Sequence, residues 1–248
     1  MKQPSTIVAV FLWIIGLAWL LVAMTALMVM ALFVNPDRTD RLTRVYLWGQ
    51  LRLLFCRWTR EVHPDIDDNQ TYMFAQNHVN IFDYATMYNA SPHFKQGLEN
   101  VSHFKIPMYG WFMKQRGTIG VDRRRPDNKA RIFEDMKDQL ERGNSLLVFP
   151  EGSRTRDGRV STFRAGTFEL AIRLGVPIIP TAVTGMFEVL PTPGWKIRAG
   201  VPVTVHLCAP IPTEGLTLED APRLAKQVET AVAEKVDQYY ASLPRDSA

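Results

Sequence analysis

The residue pair most suited to chemistry is His78 and Asp83, in the segment Gln76–Tyr84 (QNHVNIFDY). The two residues lie five positions apart, and on a regular helix this spacing leaves their side chains off a common face. If His78 lies in a loop and Asp83 in the first turn of the next helix, the carboxylate can approach the imidazole. It would then fix the tautomer and stabilise the imidazolium, as the acid of a hydrolytic triad does. The alternative is that Asp83 only caps a helix.

Such a pair suits acyl transfer to an alcohol. A hydroxyl is a poor nucleophile until a base removes its proton, and His78 is the candidate base. A substrate hydroxyl can take the place of an enzyme serine, so the reaction requires no serine nucleophile. The tetrahedral intermediate needs an oxyanion donor, for which a backbone N–H in the segment Phe149–Gly152 is our hypothesis.

Three further blocks follow this segment. They are FKIPMYGWFMKQRGTIGVDR from Phe104 to Arg123, VFPEGSRTR from Val148 to Arg156, and VPIIPTAVTG from Val176 to Gly185. With these blocks the chain resembles the glycerolipid acyltransferase family, and within it the bacterial 1-acylglycerol-3-phosphate acyltransferases. NHVNIFD matches the family's NHxxxxD motif, FPEGSRT its FPEG motif and VPIIP its fourth motif, in the family's order. The resemblance implies that His78 and Asp83 form the catalytic dyad.

The resemblance also implies how the acceptor is bound. Glu151, Gly152 and Arg154 fall in the family's acceptor-binding block. Arg154 would hold the acceptor phosphate, and Lys105 from the second block would assist it. A guanidinium offers a planar fork that suits phosphate oxygens, and an ammonium adds a mobile point charge. The alternatives are that both cations are solvated surface residues and that Glu151 is a structural carboxylate paired with Arg154.

This chain departs from the family's pattern at Met108–Tyr109, where relatives often have a more apolar or proline-containing pair. It departs again at Arg164–Ala165, where many relatives have two lysines. Both departures leave the donor and acceptor preference open. The segment Gly110–Met113 can line an acyl tunnel or belong to the core. The basic run Arg123–Arg125 is interpreted as a solvated loop near anionic headgroups.

An apolar segment at the N-terminus must place this chemistry at a membrane. No charged residue occurs from Ile7 to Val34, and a helix of that length exceeds the ~30 Å hydrocarbon core of a bilayer. The segment therefore spans with a tilt or a bend, or lies partly in one leaflet. It is too long for the apolar core of a cleaved signal peptide. Lys2 precedes it and several arginines follow it, so the positive-inside rule predicts a cytoplasmic C-terminal domain, on the bacterial inner membrane.

The next segment, Asp37–Glu61, alternates arginines with leucine, valine, phenylalanine and tryptophan residues. This pattern favours an interfacial helix whose apolar side enters the acyl boundary while its arginines meet phosphates. The alternative is an amphipathic helix packed on the soluble domain. We therefore divide the chain into a membrane anchor with an interfacial helix at residues 1–60 and an acyltransferase domain at residues 61–248.

The rest of the chain predicts an α/β domain, in which helices flank a central sheet as in glycerol-3-phosphate acyltransferases. The predicted strands are Thr71–Ala75, Thr118–Val121, Ser145–Phe149, Ile178–Val183 and Val203–Leu207. Helices are predicted at Asn128–Arg142 and Phe163–Leu174, each followed by glycine. Thr217 and Asp220 predict a capping box before a C-terminal helix. The pattern does not decide between a parallel and a mixed sheet.

The expected reaction takes an acyl group from acyl-CoA or acyl-carrier protein and transfers it to the free hydroxyl of lysophosphatidic acid, giving phosphatidic acid. We expect no cofactor and no metal site, since no His, Cys or Asp cluster has metal-ligand spacing. The alternative acceptors are another lysophospholipid and a lyso-aminolipid. The alternative from another class is a non-catalytic lipid-binding protein. A net charge of +4 also suits nucleic acid, but no basic stripe is interleaved with aromatic residues.

Overall fold

The structure is a computed structural model, and it describes residues 5–34, 40–122 and 124–243. Some predictions involve residues outside these ranges. They concern Lys2, the first residues of the segment Asp37–Glu61, and Arg123.

Within these residues, seven strands form one mixed sheet. The strands are β1 (Arg57–Val62), β2 (Met73–Gln76), β3 (Lys95–Asn100), β4 (Ile119–Val121), β5 (Ser145–Val148), β6 (Ile178–Thr184) and β7 (Pro202–Leu207). Their order across the sheet is β1-β7-β6-β2-β5-β3-β4. The strands from β6 to β4 are parallel, β7 is antiparallel to β6, and β1 is parallel to β7. The sheet is therefore mixed, with its two reversed strands at one edge.

Helices cover both faces of this sheet. The helices are α1 (Thr6–Ala31), α2 (Asp40–Leu53), α3 (Asp83–Tyr88), α4 (Tyr109–Gln115), α5 (Asn128–Glu141), α6 (Ala165–Leu174), α7 (Met186–Val189) and α8 (Ala221–Ser242), with short 3-10 helices at Val101–Lys105 and Leu218–Asp220. Buried residues of α1, α2, α3 and α7 form one core with one face of the sheet. Those of α5, α6 and α8 form a second core on the other face.

The central strands alternate between these two cores. In β2, Phe74 points to the first core, while Met73 and Ala75 point to the second. In β5, Leu147 and Leu146 divide in the same way. A strand that is buried on both faces is a continuous apolar run, which is why the sequence predicts these strands well. All five predicted strands and both predicted internal helices are present, with ends that differ by at most two residues. The predicted capping box of Thr217 and Asp220 is present as well.

The predicted helix Asp37–Glu61 is wrong in its C-terminal part. Helix α2 ends at Leu53, and Phe55 adopts a left-handed conformation with φ of 53°. Residues from Arg57 onward then pair along β7 as β1. This edge strand is largely exposed, so its apolar pattern carries little signal, and only the pairing with a distant strand defines it. Strand β3 was not predicted either, because its sequence KQGLEN is mostly polar.

Helix α1 is the described helix that is long and apolar enough to cross a membrane, with a mean hydropathy of 2.7 from Thr6 to Met30. One side of it is nevertheless buried against the domain, at Leu12, Ala23, Met24 and Leu27. Its opposite side carries strongly exposed apolar residues, namely Ile7, Phe11, Leu21 and Val22. The helix therefore packs on the domain and presents a second apolar face outward.

Hydrogen bonds join helix α2 to the C-terminal end of α3. The Arg44 guanidinium donates to the backbone carbonyls of Tyr88, Ser91, Pro92 and His93, at distances from 2.7 to 3.0 Å. These carbonyls lie at and just beyond the C-terminal end of α3. Hydrogen bonds from a charged donor are stronger than neutral ones, so Arg44 holds the C-terminal end of α3 and the following loop against α2.

Candidate active site

The loop after β2 brings His78 and Asp83 together. His78 Nδ1 lies 2.7 Å from Asp83 Oδ2, and Asp83 is the first residue of α3. The same carboxylate oxygen accepts the backbone N–H groups of Val79, at 2.6 Å, and Asn80, at 3.1 Å. The predicted arrangement of a loop histidine and a carboxylate in the first helical turn is therefore present. The catalytic role of the pair stays a prediction.

The environment of this pair orients the imidazole. Asp83 is 1% exposed; burial raises the pKa of its carboxyl group, and the hydrogen bonds from His78 and the two amides oppose that rise. Because Nδ1 donates its hydrogen to the carboxylate, Nε2 carries the lone pair of the neutral ring. The ring also stacks on Phe149, with centroids 4.2 Å apart. The His78 side chain is 26% exposed, so it can reach a substrate.

Glu151 holds the backbone of the same loop. One carboxylate oxygen accepts the N–H of His78 at 2.7 Å, and the other accepts the N–H of Ser161 at 2.9 Å. Burial raises the pKa of Glu151, and these two backbone hydrogen bonds oppose the rise. The Thr155 N–H donates to the His78 carbonyl at 2.7 Å. The described partners of the Glu151 carboxylate are thus the His78 backbone and Ser161. The described residues show no ion pair between Glu151 and Arg154, so that alternative is not what the structure has.

Two asparagines fix the loop to the fourth block and to the residues that follow it. The Asn77 side chain donates to the carbonyl of Val183 at 3.0 Å and accepts the N–H of Val183 at 2.8 Å. The Asn80 side chain donates to the carbonyls of Met186 and Leu190. The sequence reasoning did not assign these roles. The sequence feature that could have indicated these roles is the presence of two asparagines beside His78 after a buried strand, since buried side-chain amides need hydrogen-bond partners.

The two predicted phosphate ligands lie on exposed segments. Arg154 lies in the loop after β5, and Lys105 ends the 3-10 helix after β3. Among the described residues, neither side chain has a hydrogen bond or an ion pair. Both are exposed, so a ligand can reach them, but neither lines the groove beside His78. Their phosphate role stays a prediction.

His78 opens into a groove with a volume of about 750 Å³. The groove lies over the C-terminal ends of β3, β4 and β5 and between α5 and α6. Its apolar lining is Leu98, Val121, Ile132, Phe133, Met136, Val148, Phe149 and Leu170. Its charged lining is Glu99, Lys129, Glu134, Arg164, Glu169 and Arg173. The segment Gly110–Met113 is not part of this lining; Gly110 and Met113 are buried.

Gly152 lines the groove beside His78 and has a positive φ of 71°. A Cβ at this position would come within 2.9 Å of the Arg164 guanidinium carbon. Glycine therefore meets both a backbone requirement and a close approach. Arg164, which we noted only as a departure from the family's pattern, thus lies at the groove beside the FPEG turn.

The expected oxyanion donor can be narrowed within the segment Phe149–Gly152. Pro150 has no N–H, and the Gly152 N–H donates to the Phe149 carbonyl at 3.0 Å. Within our hypothesis, this leaves the amides of Phe149 and Glu151. No group of three or more His, Cys, Asp or Glu residues in the described part of the chain could hold a metal ion.

Comparison with known proteins identifies similar sequences. A family model described as Acyltransferase matches residues 59–184. A chloroplast 1-acyl-sn-glycerol-3-phosphate acyltransferase of Arabidopsis thaliana is 28% identical over 167 residues, which cover 66% of this chain and 45% of that protein. One from Chlamydomonas reinhardtii is 27% identical over 237 residues, covering 90% and 70%. The human 1-acyl-sn-glycerol-3-phosphate acyltransferase alpha is 32% identical over 113 residues, covering 45% and 40%.

This chain therefore spans less than half the length of the Arabidopsis and human proteins. A crystal structure of the 1-acyl-sn-glycerophosphate acyltransferase from Thermotoga maritima superposes with a TM-score of 0.80. It is 19% identical and covers 96% of this chain and 97% of its own. The predicted α/β fold, with a central sheet between helices, is thereby confirmed.

Proposed function

This chain belongs to the acyltransferase family, and from that premise we propose that it transfers a fatty acyl group from an acyl thioester to the free hydroxyl of 1-acylglycerol-3-phosphate. The product would be phosphatidic acid. The relatives that carry the name 1-acyl-sn-glycerol-3-phosphate acyltransferase support this choice of acceptor. The observation that carries the proposal is the 2.7 Å contact between His78 Nδ1 and Asp83 Oδ2 beside an apolar groove.

In the proposed mechanism, His78 acts as the general base. Its Nε2 takes the proton of the acceptor hydroxyl while Asp83 accepts the Nδ1 hydrogen and stabilises the imidazolium. The hydroxyl oxygen attacks the carbonyl carbon of the thioester and forms a tetrahedral intermediate. The carbon–sulfur bond then breaks, the imidazolium returns its proton to the leaving thiolate, and the ester and a free thiol are released. The atoms balance without a cofactor or a metal ion.

The acceptor would be held by its phosphate. We propose Arg154 and Lys105 as phosphate ligands, because exposed cations without a hydrogen bond or ion pair to any described residue can close on an anion at little desolvation cost. With the phosphate held, the short glycerol backbone would place the neighbouring hydroxyl at His78. The apolar groove suits an acyl chain, because hydrocarbon buried there leaves water. The donor would be acyl-CoA or acyl-carrier protein.

The site would operate at a membrane surface. The outer side of α1 is apolar and exposed, and α2 exposes Val45 and Trp48 while burying Tyr46, Leu47 and Leu51 on the domain. Arg52 lies over the Trp48 ring, which places a cation and an amphipathic ring where headgroups would meet the protein. We propose the bacterial inner membrane as the location, with the catalytic domain facing the cytoplasm.

An acceptor panel tests this function. Purified full-length protein in phospholipid vesicles would receive lysophosphatidate, lysophosphatidylethanolamine, lysophosphatidylcholine and a lyso-aminolipid, each with acyl-CoA and with acyl-carrier protein in turn. Mass spectrometry of the lipid product should show phosphatidate as the main product. Acylation of another acceptor but not of lysophosphatidate would overturn the acceptor. Lipid binding without any product would favour the non-catalytic alternative.

A further inference from the structure

Glu151 lies in the acceptor-binding block, yet its position in the structure does not fit a substrate contact. Its neighbours Phe149, Pro150 and Gly152 all line the groove at His78, whereas the groove lining does not include Glu151. Glu151 is 4% exposed, so a substrate in the groove has almost no access to it. A carboxylate at this place would also repel an acceptor phosphate.

Both oxygens of the Glu151 carboxylate are already engaged. Oε1 accepts the His78 N–H at 2.7 Å, and Oε2 accepts the Ser161 N–H at 2.9 Å. One side chain thus joins the loop after β2 to the loop that leads into α6. The carboxylate of Asp83 continues the pattern, since it accepts the next two amides, those of Val79 and Asn80. Three successive amides are thereby held by two buried carboxylates, and the imidazole of His78 is attached to the first.

We propose that Glu151 is a positioning residue that acts through the backbone of His78, and that it does not contact the acceptor. It sets where the His78 main chain lies relative to Asp83 and Phe149, and hence where Nε2 points in the groove. This inference rests on the proposed role of His78 as general base. It accounts for a carboxylate in a phosphate-binding block, because the carboxylate binds amides and faces away from the ligand.

The proposal predicts that replacing Glu151 lowers kcat and leaves the acceptor KM nearly unchanged. Misplacing a base by about 1 Å can cost about 10²-fold in rate, whereas acceptor binding depends on groups that Glu151 does not touch. Glu151→Gln keeps the size of the side chain and one carbonyl oxygen, but its amide group cannot accept the second N–H. Glu151→Ala removes both acceptors. We expect kcat to fall about 10-fold in the Gln variant and about 100-fold in the Ala variant, with the acceptor KM within about twofold of wild type.

Glu229 provides the matched control. Its carboxylate accepts the N–H of Phe163 at 2.8 Å, in the same loop as Ser161, but it has no described contact with the His78 loop. Glu229→Gln therefore changes a carboxylate of α8 that accepts from the same loop, without touching His78, and its kcat should equal that of wild type. Thermal unfolding would be followed for all variants, and kcat would be expressed per folded molecule.

Two results would overturn the proposal. One is a tenfold or larger rise in the acceptor KM of Glu151→Gln at unchanged kcat, which would place Glu151 on the acceptor. The other is an equal loss of kcat in Glu151→Gln and Glu229→Gln, which would reduce Glu151 to general support of the loop. The measurement uses whichever acceptor the wild-type protein acylates in the panel above. If the proposed acceptor is wrong, the wild-type protein will show this in the panel. If the proposed role of Glu151 is wrong, only the variants will show it.

Discussion

The loop that carries His78 and Asp83 and the segments that carry Arg154 and Lys105, the proposed phosphate ligands, are built in opposite ways. In the loop, Asn77, Asn80 and Asp83 are at most 3% exposed, and each makes hydrogen bonds to backbone groups. Arg154 and Lys105 are exposed, and among the described residues their side chains have no hydrogen-bond or ion-pair partner. The first region is therefore held in place by hydrogen bonds to the protein backbone, whereas the two cations have no described contact that fixes their side chains.

This difference fits the two tasks that we propose for the site, which are removal of the hydroxyl proton and binding of the acceptor phosphate. A base must be in place before the reaction, because catalysis depends on geometry that costs no reorganisation at that moment. A long cationic side chain can close on its ligand and lose its rotamer freedom only then. Changes in the loop should therefore lower kcat, and changes in the cations should raise the acceptor KM.

Replacement of His78 by alanine should have the largest effect. Without the base, kcat should fall by about 10⁴-fold, the upper end for general base catalysis. The ring lies at the edge of the core, so the thermal unfolding temperature and lipid binding should stay close to wild type. Undiminished acyl transfer by a folded His78→Ala protein would show that His78 is not the general base.

Asp83→Asn should have the second largest effect. We expect kcat to fall by about 10³-fold, because an amide in place of the carboxylate favours the wrong imidazole tautomer. Turnover at saturating acceptor would be measured with circular dichroism as the test of folding. If kcat remained within a fewfold of wild type, the contact between Nδ1 and Oδ2 would be structural, and Asp83 would only hold the amides of Val79 and Asn80.

Arg154→Ala tests the second region. Loss of a charge-assisted hydrogen bond of about 1.5–3 kcal/mol should raise the KM for lysophosphatidate by about 10- to 100-fold, with kcat changed much less. Arg156→Ala, an exposed neighbour in the same loop, is the matched control and should behave as wild type. A monoacylglycerol acceptor, which lacks the phosphate, should not distinguish Arg154→Ala from wild type. An effect on kcat alone would contradict the proposed phosphate contact.

Asn77→Ala should have the smallest effect on rate and a measurable effect on stability. It leaves the N–H and the carbonyl of Val183 without their side-chain partner, at a cost of about 1–3 kcal/mol. For a domain of this size that corresponds to a fall in Tm of roughly 2–10 °C. We expect kcat to fall by less than about tenfold, since Glu151 and Asp83 still hold the loop. A stable variant with an altered acceptor KM would show that the two regions are not separate.

Local patterns were enough for much of the fold. Strands β2, β5 and β6 are mostly apolar, and α5 and α6 have an apolar stripe and a following glycine. The exposed edge strand β1 and the polar strand β3 have no comparable pattern, and neither was predicted. The segment after Leu53 was assigned to a helix because arginines and apolar residues continue beyond it. Its pairing with β7, 145 residues further along the chain, overrides that local preference.

The sequence by itself determined which residues are candidates for the chemistry and that a loop histidine could meet a carboxylate in the next helical turn. It determined this because both residues lie in one short segment, where spacing and helix geometry limit the possibilities. Only the tertiary structure decided what holds His78, since Glu151 is 73 residues away and Val183 is 106 residues from Asn77. Contacts between such distant residues depend on which strands lie side by side, and no local period encodes that order.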